Sequence, residues 1–386
     1  MIWIAIGIKF RYKMAKICVF GASGFVGRAL IERLNRSNYE VISAIHSPGN
    51  AWSILRFETP IVIADLLNKA SIGNALRGCD YVVNLSLGRS EEMLKQLKNL
   101  IEVCKENQIK RLIHISSITV YGDFPHPDSK YETGPCKAKR KSYGWYKMKQ
   151  DDLIKEANDT GLSSISLCPP HITGAYGRIF HQVIDSIKEG SFVLLEDGAL
   201  PCNIVDVNNI CHAIELSIIL EQSDGCRVFI TNGDDYTWRD LAEQAAKVLG
   251  KSLKDIPVVS KEEFLKISDR VSLASLVKKA LMNEDLKKEL ANTILVKNRV
   301  LNKISKKIYA RFKRGRSNYL WSPASSKSIN YSLCKQQLRG VRHEIIRARD
   351  ILNYTPLINS KQSFAIFENY YTTLFGYNTE YWDLVV

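Results

Sequence analysis

The chain has 386 residues, of which 45% are hydrophobic, and its formal net charge is +14. This length is ample for a packed core and predicts one large domain or two closely associated domains. Nine scattered cysteines form no Cys-x-x-Cys pair and no zinc spacing, which excludes a disulfide scaffold and a metal centre and predicts a reduced, cytoplasmic protein.

Residues 1–13 are predicted to be an extension ahead of the folded protein. Residues 1–8 are apolar and residues 9–13 are basic. Eight apolar residues are too few to cross a bilayer, which takes about 20. A secretory signal would place its charge before the apolar run and a cleavage site after it. No other segment is apolar enough to predict a membrane span.

A glycine-rich turn follows the first predicted strand, Ile17–Phe20, and leads into an amphipathic helix at 28–34. Gly21 permits a tight turn, Gly24 leaves room for a pyrophosphate, and Gly27 lets the helix and the strand pack closely. The start of the helix offers free N–H groups and a positive dipole end to phosphates. The sequence therefore predicts dinucleotide binding. The predicted contacts in this turn are Gly21, Ser23, Gly24, Phe25, Val26, Gly27 and Arg28.

The second predicted strand, Val41–Ile45, ends without a carboxylate and continues into His46 and Ser47. An NAD-selective site usually has Asp or Glu here, which accepts from the ribose hydroxyls. The expected cofactor is NAD or NADP. The missing carboxylate favours NADP, because a carboxylate would repel its 2′-phosphate. Arg28, His46 and Ser47 are the candidates to face that phosphate.

Strands are also predicted at 60–64, within 79–86, at 111–115 and at 163–168, with helices at 70–76 and 91–107 between them. This alternation is typical of a parallel sheet with helices on both faces. The predicted fold is α/β: a doubly wound parallel-sheet Rossmann domain with a smaller, mainly C-terminal substrate domain. Ligands bind such sheets beyond the carboxyl ends of the strands.

Three motifs in order resemble the extended short-chain dehydrogenase/reductase family, also called the NAD-dependent epimerase/dehydratase family. They are the Gly-x-x-Gly-x-x-Gly turn, the segment Ser116–Gly122 and the pair Tyr143-x-x-x-Lys147. Segment 116–122 resembles the family's Ser-Ser-x-x-Val-Tyr-Gly. The resemblance covers about residues 15–250 and returns at 348–357, which is similar to the family's closing Ala-x-x-x-Leu-Gly-Tyr-x-Pro.

Tyr143 and Lys147 are predicted to form the acid/base pair. Residues four apart on a helix share a face, so the ammonium lies near the phenol. We expect it to lower the pKa of Tyr143 by favouring the phenolate, which lets the tyrosine exchange a proton with substrate near neutral pH. Lys147 also holds the nicotinamide ribose, and Ser117 orients the reacting oxygen. Tyr146 is a rival phenol that points to another face.

The resemblance implies further contacts. In the family, the Asp-Leu pair lies against the adenine, the loop after strand four lies along the cofactor, and the segment after strand six closes over the nicotinamide. Cys168 and Thr173 depart from the family pattern, which has Arg and Tyr there. The implied cofactor contacts are Asp65, Leu66, Leu85, Ser86, Lys147, Pro169 and Ile172, and His46 is a further candidate from the end of the second strand. The candidate substrate contacts are Thr119, which is near Ser117, and His171, although a lone histidine is more often structural.

The predicted domains are an extension at 1–13, an NAD(P)-binding Rossmann domain at 14–230, and a substrate domain at 231–386. Residues 176–200 cross toward the substrate domain, which includes a basic helical segment at about 262–345. Within it, residues 297–316 hold nine cations and no acid, with one apolar stripe at helical spacing. A solvated helix face, a pyrophosphate grip and contact with an anionic membrane remain open. No nucleic-acid-binding motif is present, so nucleic acid is not an expected partner.

The expected function is that of an NAD(P)-dependent oxidoreductase or epimerase, with a nucleotide sugar as its small-molecule substrate. Dehydration is the least favoured reaction, because Ile118-Thr119 stands where a dehydratase usually has an acidic pair. One alternative is an NADP-dependent reductase or dehydrogenase of a non-nucleotide carbonyl or steroid-like substrate. Another is a catalytically silent, NADP-sensing Rossmann protein. Whether the chain forms a homodimer also remains open.

Overall fold

The computed structural model describes residues 15–37, 39–220, 225–266 and 329–375. The predicted extension and residues 297–316 lie outside the described residues. The strands are β1 (Lys16–Phe20), β2 (Glu40–Ile45), β3 (Ile61–Ile63), β4 (Tyr81–Asn84), β5 (Arg111–Ile115), β6 (Ser164–Cys168), β7 (His171–Thr173), β8 (Leu194–Leu195), β9 (Ile204–Asp206), β10 (Arg227–Phe229) and β11 (Val258–Val259). The helices are α1 (Phe25–Arg36), α2 (Lys69–Leu76), α3 (Met93–Glu106), α4 (Tyr143–Asp159), α5 (Arg178–Glu189), α6 (Val207–Ile219), α7 (Trp238–Val248), α8 (Tyr331–Gln337), α9 (Ile346–Leu352) and α10 (Ser360–Phe375).

Seven strands form one parallel sheet in the order β10-β6-β5-β4-β1-β2-β3. The chain moves outward from β1 to β3 and then crosses back, so that β4 pairs with the other edge of β1. Ligands of open α/β sheets bind beyond the carboxyl ends of the strands at such a reversal. The predicted doubly wound parallel fold is confirmed. Among the described residues, no helix is long and apolar enough to cross a membrane.

Strand β1 shows why the sheet is covered on both faces. Ile17 and Val19 pack in one cluster with the buried face of α1, whereas Cys18 and Phe20 pack in another with α2 and α3. Successive side chains of a strand point to opposite faces, so a strand buried on both sides is apolar throughout. The uninterrupted apolar run at 17–20 is therefore a direct consequence of the layered fold.

The chain divides into two compact units that interleave along the sequence. One consists of residues 1–182, 201–237 and 339–386, and it contains the seven-stranded sheet. The other consists of residues 183–200 and 238–338, and it contains the short parallel pair β8 and β11. The functional division at residue 230 stays a prediction.

Polar side chains near the end of the chain complete the sheet-bearing unit. The Ser363 hydroxyl donates to Asp206 Oδ2 at 2.6 Å, and the Tyr354 hydroxyl donates to the carbonyl of Thr231 at 2.9 Å. Ser360 bonds to Asp234 through both its amide and its hydroxyl. Asp206 is fully buried, and a buried carboxylate is costly unless it is hydrogen-bonded. Residues 354–363 are therefore an integral part of this unit.

Candidate active site

The glycine turn, at the carboxyl end of β1, lies against the loop at the carboxyl end of β4. Gly21 has a φ of +79°, and a Cβ there would lie 2.9 Å from the carbonyl carbon of Leu85. In Gly27, a Cβ would collide with the carbonyl oxygens of Gly21 and Ala22. Gly24 precedes α1 and supplies no side-chain cap. The turn therefore has no room for a side chain at Gly21 or Gly27, and no side chain caps the first N–H groups of α1.

We expect Gly27→Ala to destabilise the protein by about 1–3 kcal/mol, because overpacking forces the backbone apart. Gly73→Ala in α2 is the matched control, since its Cβ would lie 3.9 Å from Val103 Cγ1, an ordinary van der Waals contact. That control should stabilise by about 0.5–1 kcal/mol, the usual gain for alanine over glycine in a helix. Urea unfolding monitored by circular dichroism measures both changes. Equal unfolding midpoints for the two variants would contradict this account of the turn.

The loop after β4 is held by buried side chains that the sequence analysis did not single out. Asn84 Oδ1 accepts from both the amide and the hydroxyl of Ser86, at 3.2 and 2.5 Å. Asn84 Nδ2 lies 3.2 Å from His114 Nδ1, so the amide donates to the ring. Burial, together with the nearby charge of Lys147, lowers the pKa of His114 and keeps it neutral. The sequence did contain a signal for Asn84 and His114, because both are polar residues inside strands that were predicted to be buried.

Ser117 lies just beyond β5, where it caps a short 3₁₀ helix at 118–121. Its hydroxyl oxygen accepts from the amide of Thr119 at 3.3 Å and from the Thr119 hydroxyl at 3.0 Å. Both bonds use the oxygen as an acceptor, so the hydroxyl hydrogen of Ser117 is available to a substrate oxygen. The carbonyl of Pro169 accepts from the amide of Ile118 at 3.2 Å and ties the end of β6 to this turn.

Tyr143 and Lys147 share a face of α4, as their spacing predicts. Lys147 Nζ lies 5.9 Å from the centroid of the Tyr143 ring and donates to the carbonyl of Ile115 at 2.8 Å. Only 3% of Lys147 is exposed, against 39% of Tyr143. The lysine therefore connects the catalytic helix to the end of β5, two residues before Ser117.

The predicted lowering of the tyrosine pKa is wrong for this arrangement. Although Tyr143 is partly exposed, the burial of its remaining surface raises its pKa to about 12, and the charge of Asp151 acts in the same direction. Burial also lowers the pKa of Lys147 to about 8, and it outweighs the nearby Asp151 carboxylate, which raises it. The Lys147 ammonium donates to the carbonyl of Ile115. Desolvation therefore determines the direction of the pKa shift of both Tyr143 and Lys147.

A buried ion pair anchors α4, the helix that carries Tyr143 and Lys147. Asp151 lies one turn beyond Lys147, and its Oδ2 accepts from Arg227 Nε and from the Ser116 hydroxyl, each at 2.7 Å. Arg227 also donates to the Tyr121 hydroxyl at 3.0 Å. Three segments that carry or flank the predicted catalytic residues are thereby fixed to β10. Sequence reasoning missed this group because its members are far apart in the chain.

The tyrosine that rivals Tyr143 is placed differently. Tyr146 is 8% exposed, and its ring meets Trp145 edge-on at 5.0 Å. Lys147 approaches the ring of Tyr143 instead. The geometry favours Tyr143 as the phenol that can reach a substrate.

The other predicted cofactor contacts occupy varied settings. His46 is exposed at the end of β2, and Leu66 is buried in the core. Asp65 Oδ1 accepts from the amide of Leu67 at 2.9 Å and shapes a tight turn. The Arg28 guanidinium lies 5.1 Å from the centroid of the Tyr176 ring. Arg28 therefore already has an aromatic partner.

His171 and Ile172 belong to β7, which pairs with β9 outside the main sheet. Burial, together with the charge of Arg339, lowers the pKa of His171 to about 4, so the ring is neutral at physiological pH.

A separate polar cleft contains none of the predicted catalytic residues. It lies among the segments 201–204, 231–236 and 342–349. Within the described ranges, no cluster of His, Cys, Asp and Glu has the composition of a metal site. The candidate active site therefore rests on Ser117, Tyr143 and Lys147, together with the glycine turn.

Comparison with known proteins places this geometry in a family. The model of the NAD dependent epimerase/dehydratase family matches residues 17–225, which contain the glycine turn, Ser117 and the Tyr143–Lys147 pair. The chain belongs to the NAD dependent epimerase/dehydratase family. Its relatives include an epimerase and a reductase.

Two curated relatives illustrate the range of the NAD dependent epimerase/dehydratase family. Tetraketide alpha-pyrone reductase 1 from Arabidopsis thaliana is 27% identical over 188 residues, which make up 41% of this chain and 58% of the relative. UDP-glucose 4-epimerase from Vibrio cholerae is 24% identical over 267 residues, 64% of this chain and 80% of the relative. Sterol-4-alpha-carboxylate 3-dehydrogenases are similar as well. The chain spans 50–58% of the length of the plant reductases that it matches.

A solved structure of the family shows the same fold. UDP-glucuronic acid 4-epimerase from Bacillus cereus, in complex with NAD, superposes with a TM-score of 0.63 at 16% identity. The superposition covers 93% of this chain and 99% of the other.

Proposed function

We propose that this protein is an NAD(P)-dependent oxidoreductase or epimerase that acts on a nucleotide sugar. The observation that carries the proposal is the hydrogen bond from Lys147 to the carbonyl of Ile115, at 2.8 Å. It joins the helix of Tyr143 to the strand that ends at Ser117. A proton-exchanging phenol, a buried ammonium and a donating hydroxyl thus meet at the carboxyl end of the sheet.

Each of the three residues has a distinct task in this proposal. Ser117 donates its free hydrogen to the reacting oxygen, and Tyr143 exchanges a proton with that same oxygen. A pKa of about 12 keeps the Tyr143 phenol protonated, which suits the reductive direction, where it acts as the acid. Lys147 binds the ribose next to the nicotinamide. The nicotinamide itself supplies the hydride chemistry when bound.

The residues present fit a dinucleotide. Side chains are excluded from the turn at Gly21 and Gly27, and the first turn of α1 has no side-chain cap. Because β2 ends at Ile45 and continues into His46 and Ser47 without an acid, we propose that NADP(H) binds at least as well as NAD(H). All nine cysteines are free, as the proposed reducing, cytoplasmic setting requires.

A second candidate is a reductase or dehydrogenase of an apolar, non-nucleotide carbonyl compound. Leu87 is 71% exposed and follows the loop after β4, and Phe124 is 53% exposed and follows the turn that contains Ser117. Exposed apolar residues at these positions would suit an apolar substrate. The similarity to the plant reductase supports the same candidate. The complete Ser117, Tyr143 and Lys147 set argues against a silent, cofactor-sensing protein.

The test measures cofactor affinity and turnover with the same purified protein. Fluorescence titration with NADPH and NADH should give an affinity for NADPH equal to or higher than that for NADH. Nucleotide sugars and neutral ketones are then offered with each cofactor, and products are identified by mass spectrometry. We expect conversion of at least one nucleotide sugar. Strong NADH selectivity would refute the cofactor preference, and turnover of neutral ketones alone would refute the proposed substrate class.

A further inference from the structure

Four cations stand directly before the catalytic helix. They are Lys137, Lys139, Arg140 and Lys141, and all four are exposed. None of them forms an ion pair with an acid in the part of the chain that the structure describes. An exposed run of charges is often only a solvated surface. A functional role for this run therefore depends on its position relative to the candidate active site.

The backbone holds this run, residues 137–141, against the turn that contains Ser117. The amide of Ala138 donates to the carbonyl of Val120 at 3.1 Å. A Cβ on Gly122 would lie 2.7 Å from the carbonyl oxygen of Lys137, and one on Gly144 would lie 2.7 Å from the carbonyl carbon of Thr119. Gly122 lets the run pack closely on the turn, and Gly144 lets the start of α4 do the same.

The run is also close to Tyr143. Two residues of extended chain span at most about 7 Å, so the backbones of Lys141 and Tyr143 lie within that distance. Arg140 and Lys139 are one and two residues further away. Long, flexible side chains at these positions can reach an anionic group attached to a substrate whose reacting carbon lies beside Tyr143.

Phosphate is the ligand class that fits this surface. Several adjacent cations favour a ligand with more than one negative charge, and Arg and Lys both bind phosphate oxygens through charge-assisted hydrogen bonds. We infer that residues 137–141 bind the diphosphate of the substrate while Tyr143 and Ser117 engage its reacting carbon. This inference rests on the proposed function, because it places the reacting carbon at Tyr143.

The test compares two double variants in the holoenzyme, using inorganic pyrophosphate as the probe. Saturating NADPH occupies the glycine turn, so that the probe does not bind there. Lys139→Gln/Arg140→Gln removes two charges from the run. Lys95→Gln/Lys98→Gln removes two exposed charges from α3 and is the matched control. Calorimetry should show pyrophosphate binding weakened roughly tenfold or more in the first variant and little changed in the second.

The outcomes separate this inference from the proposed function. Equal weakening in both variants, or none in either, would overturn the inference. If the loss is confined to Lys139→Gln/Arg140→Gln while Tyr143→Phe turns over at the wild-type rate, the anion site stands and the proposed catalysis fails. Sedimentation with phosphatidylserine vesicles distinguishes a lipid source of phosphate. If that variant loses vesicle binding while its pyrophosphate affinity is unchanged, residues 137–141 bind a membrane surface and not the diphosphate of the substrate.

Discussion

Tyr143→Phe is expected to reduce turnover by about 10²–10⁴-fold, the usual contribution of a general acid or base. The change removes the hydroxyl and keeps the ring near Lys147 Nζ, now 5.9 Å from the ring centroid. Cofactor binding should therefore remain nearly intact. The reaction is followed by nicotinamide absorbance or by product analysis, with any substrate identified in the screen of nucleotide sugars and ketones.

Tyr146→Phe is the matched control for this prediction. It removes the same atom three residues away, from a ring that is 8% exposed and packs against Trp145. We expect it to retain turnover close to the wild-type rate. A Tyr143→Phe enzyme as active as the Tyr146→Phe enzyme would show that Tyr143 does not carry the proton.

Asp151→Asn is expected to destabilise the fold by about 3–5 kcal/mol, because it leaves one charge of a buried ion pair without its partner. The Asp151 and Arg227 side chains are 7% and 12% exposed, and they meet at 2.7 Å. Asparagine has nearly the same shape but cannot neutralise the guanidinium. Urea unfolding gives the change in the free energy of unfolding.

Asp152→Asn, at the next position, is the control. Asp152 pairs with Lys149 at the surface, where the two side chains are 60% and 43% exposed. Exposed pairs contribute about 0–1 kcal/mol, so little change is expected. Similar losses in the two variants would contradict the role assigned to the buried pair. Asp151→Asn should also lower the pKa of Lys147 further below 8, since the carboxylate raises it.

The strands were predictable because a strand that is buried on both faces is a nearly continuous run of apolar residues. The predicted segments 17–20 and 111–115 agree with β1 and β5 to within a residue. Ends with weaker signatures were less well placed: the helix predicted at 91–107 begins at Met93. Capping and turns decide such ends, and neither is encoded in hydrophobic periodicity.

The sequence predicted those features of the candidate site that depend on the local spacing of residues. The four-residue interval brought Lys147 to the face of Tyr143, and motif order placed Ser117 near both. The direction of the Tyr143 pKa shift was missed because it depends on the burial of the phenol, which local spacing does not indicate. The Asp151–Arg227 pair joins residues 76 positions apart, and no local pattern indicates it.

The interleaved path of the chain imposes an order on biosynthesis. Asp206 leaves the ribosome 157 residues before Ser363, the serine whose hydroxyl reaches its carboxylate. At about 5–20 residues per second, that interval is roughly 8–30 s. During this time the sheet can assemble, but Asp206 and the carbonyl of Thr231 lack their later partners. Completion of the unit therefore waits until Ser363 has been synthesised, and chaperones have an interval in which to bind the nascent sheet.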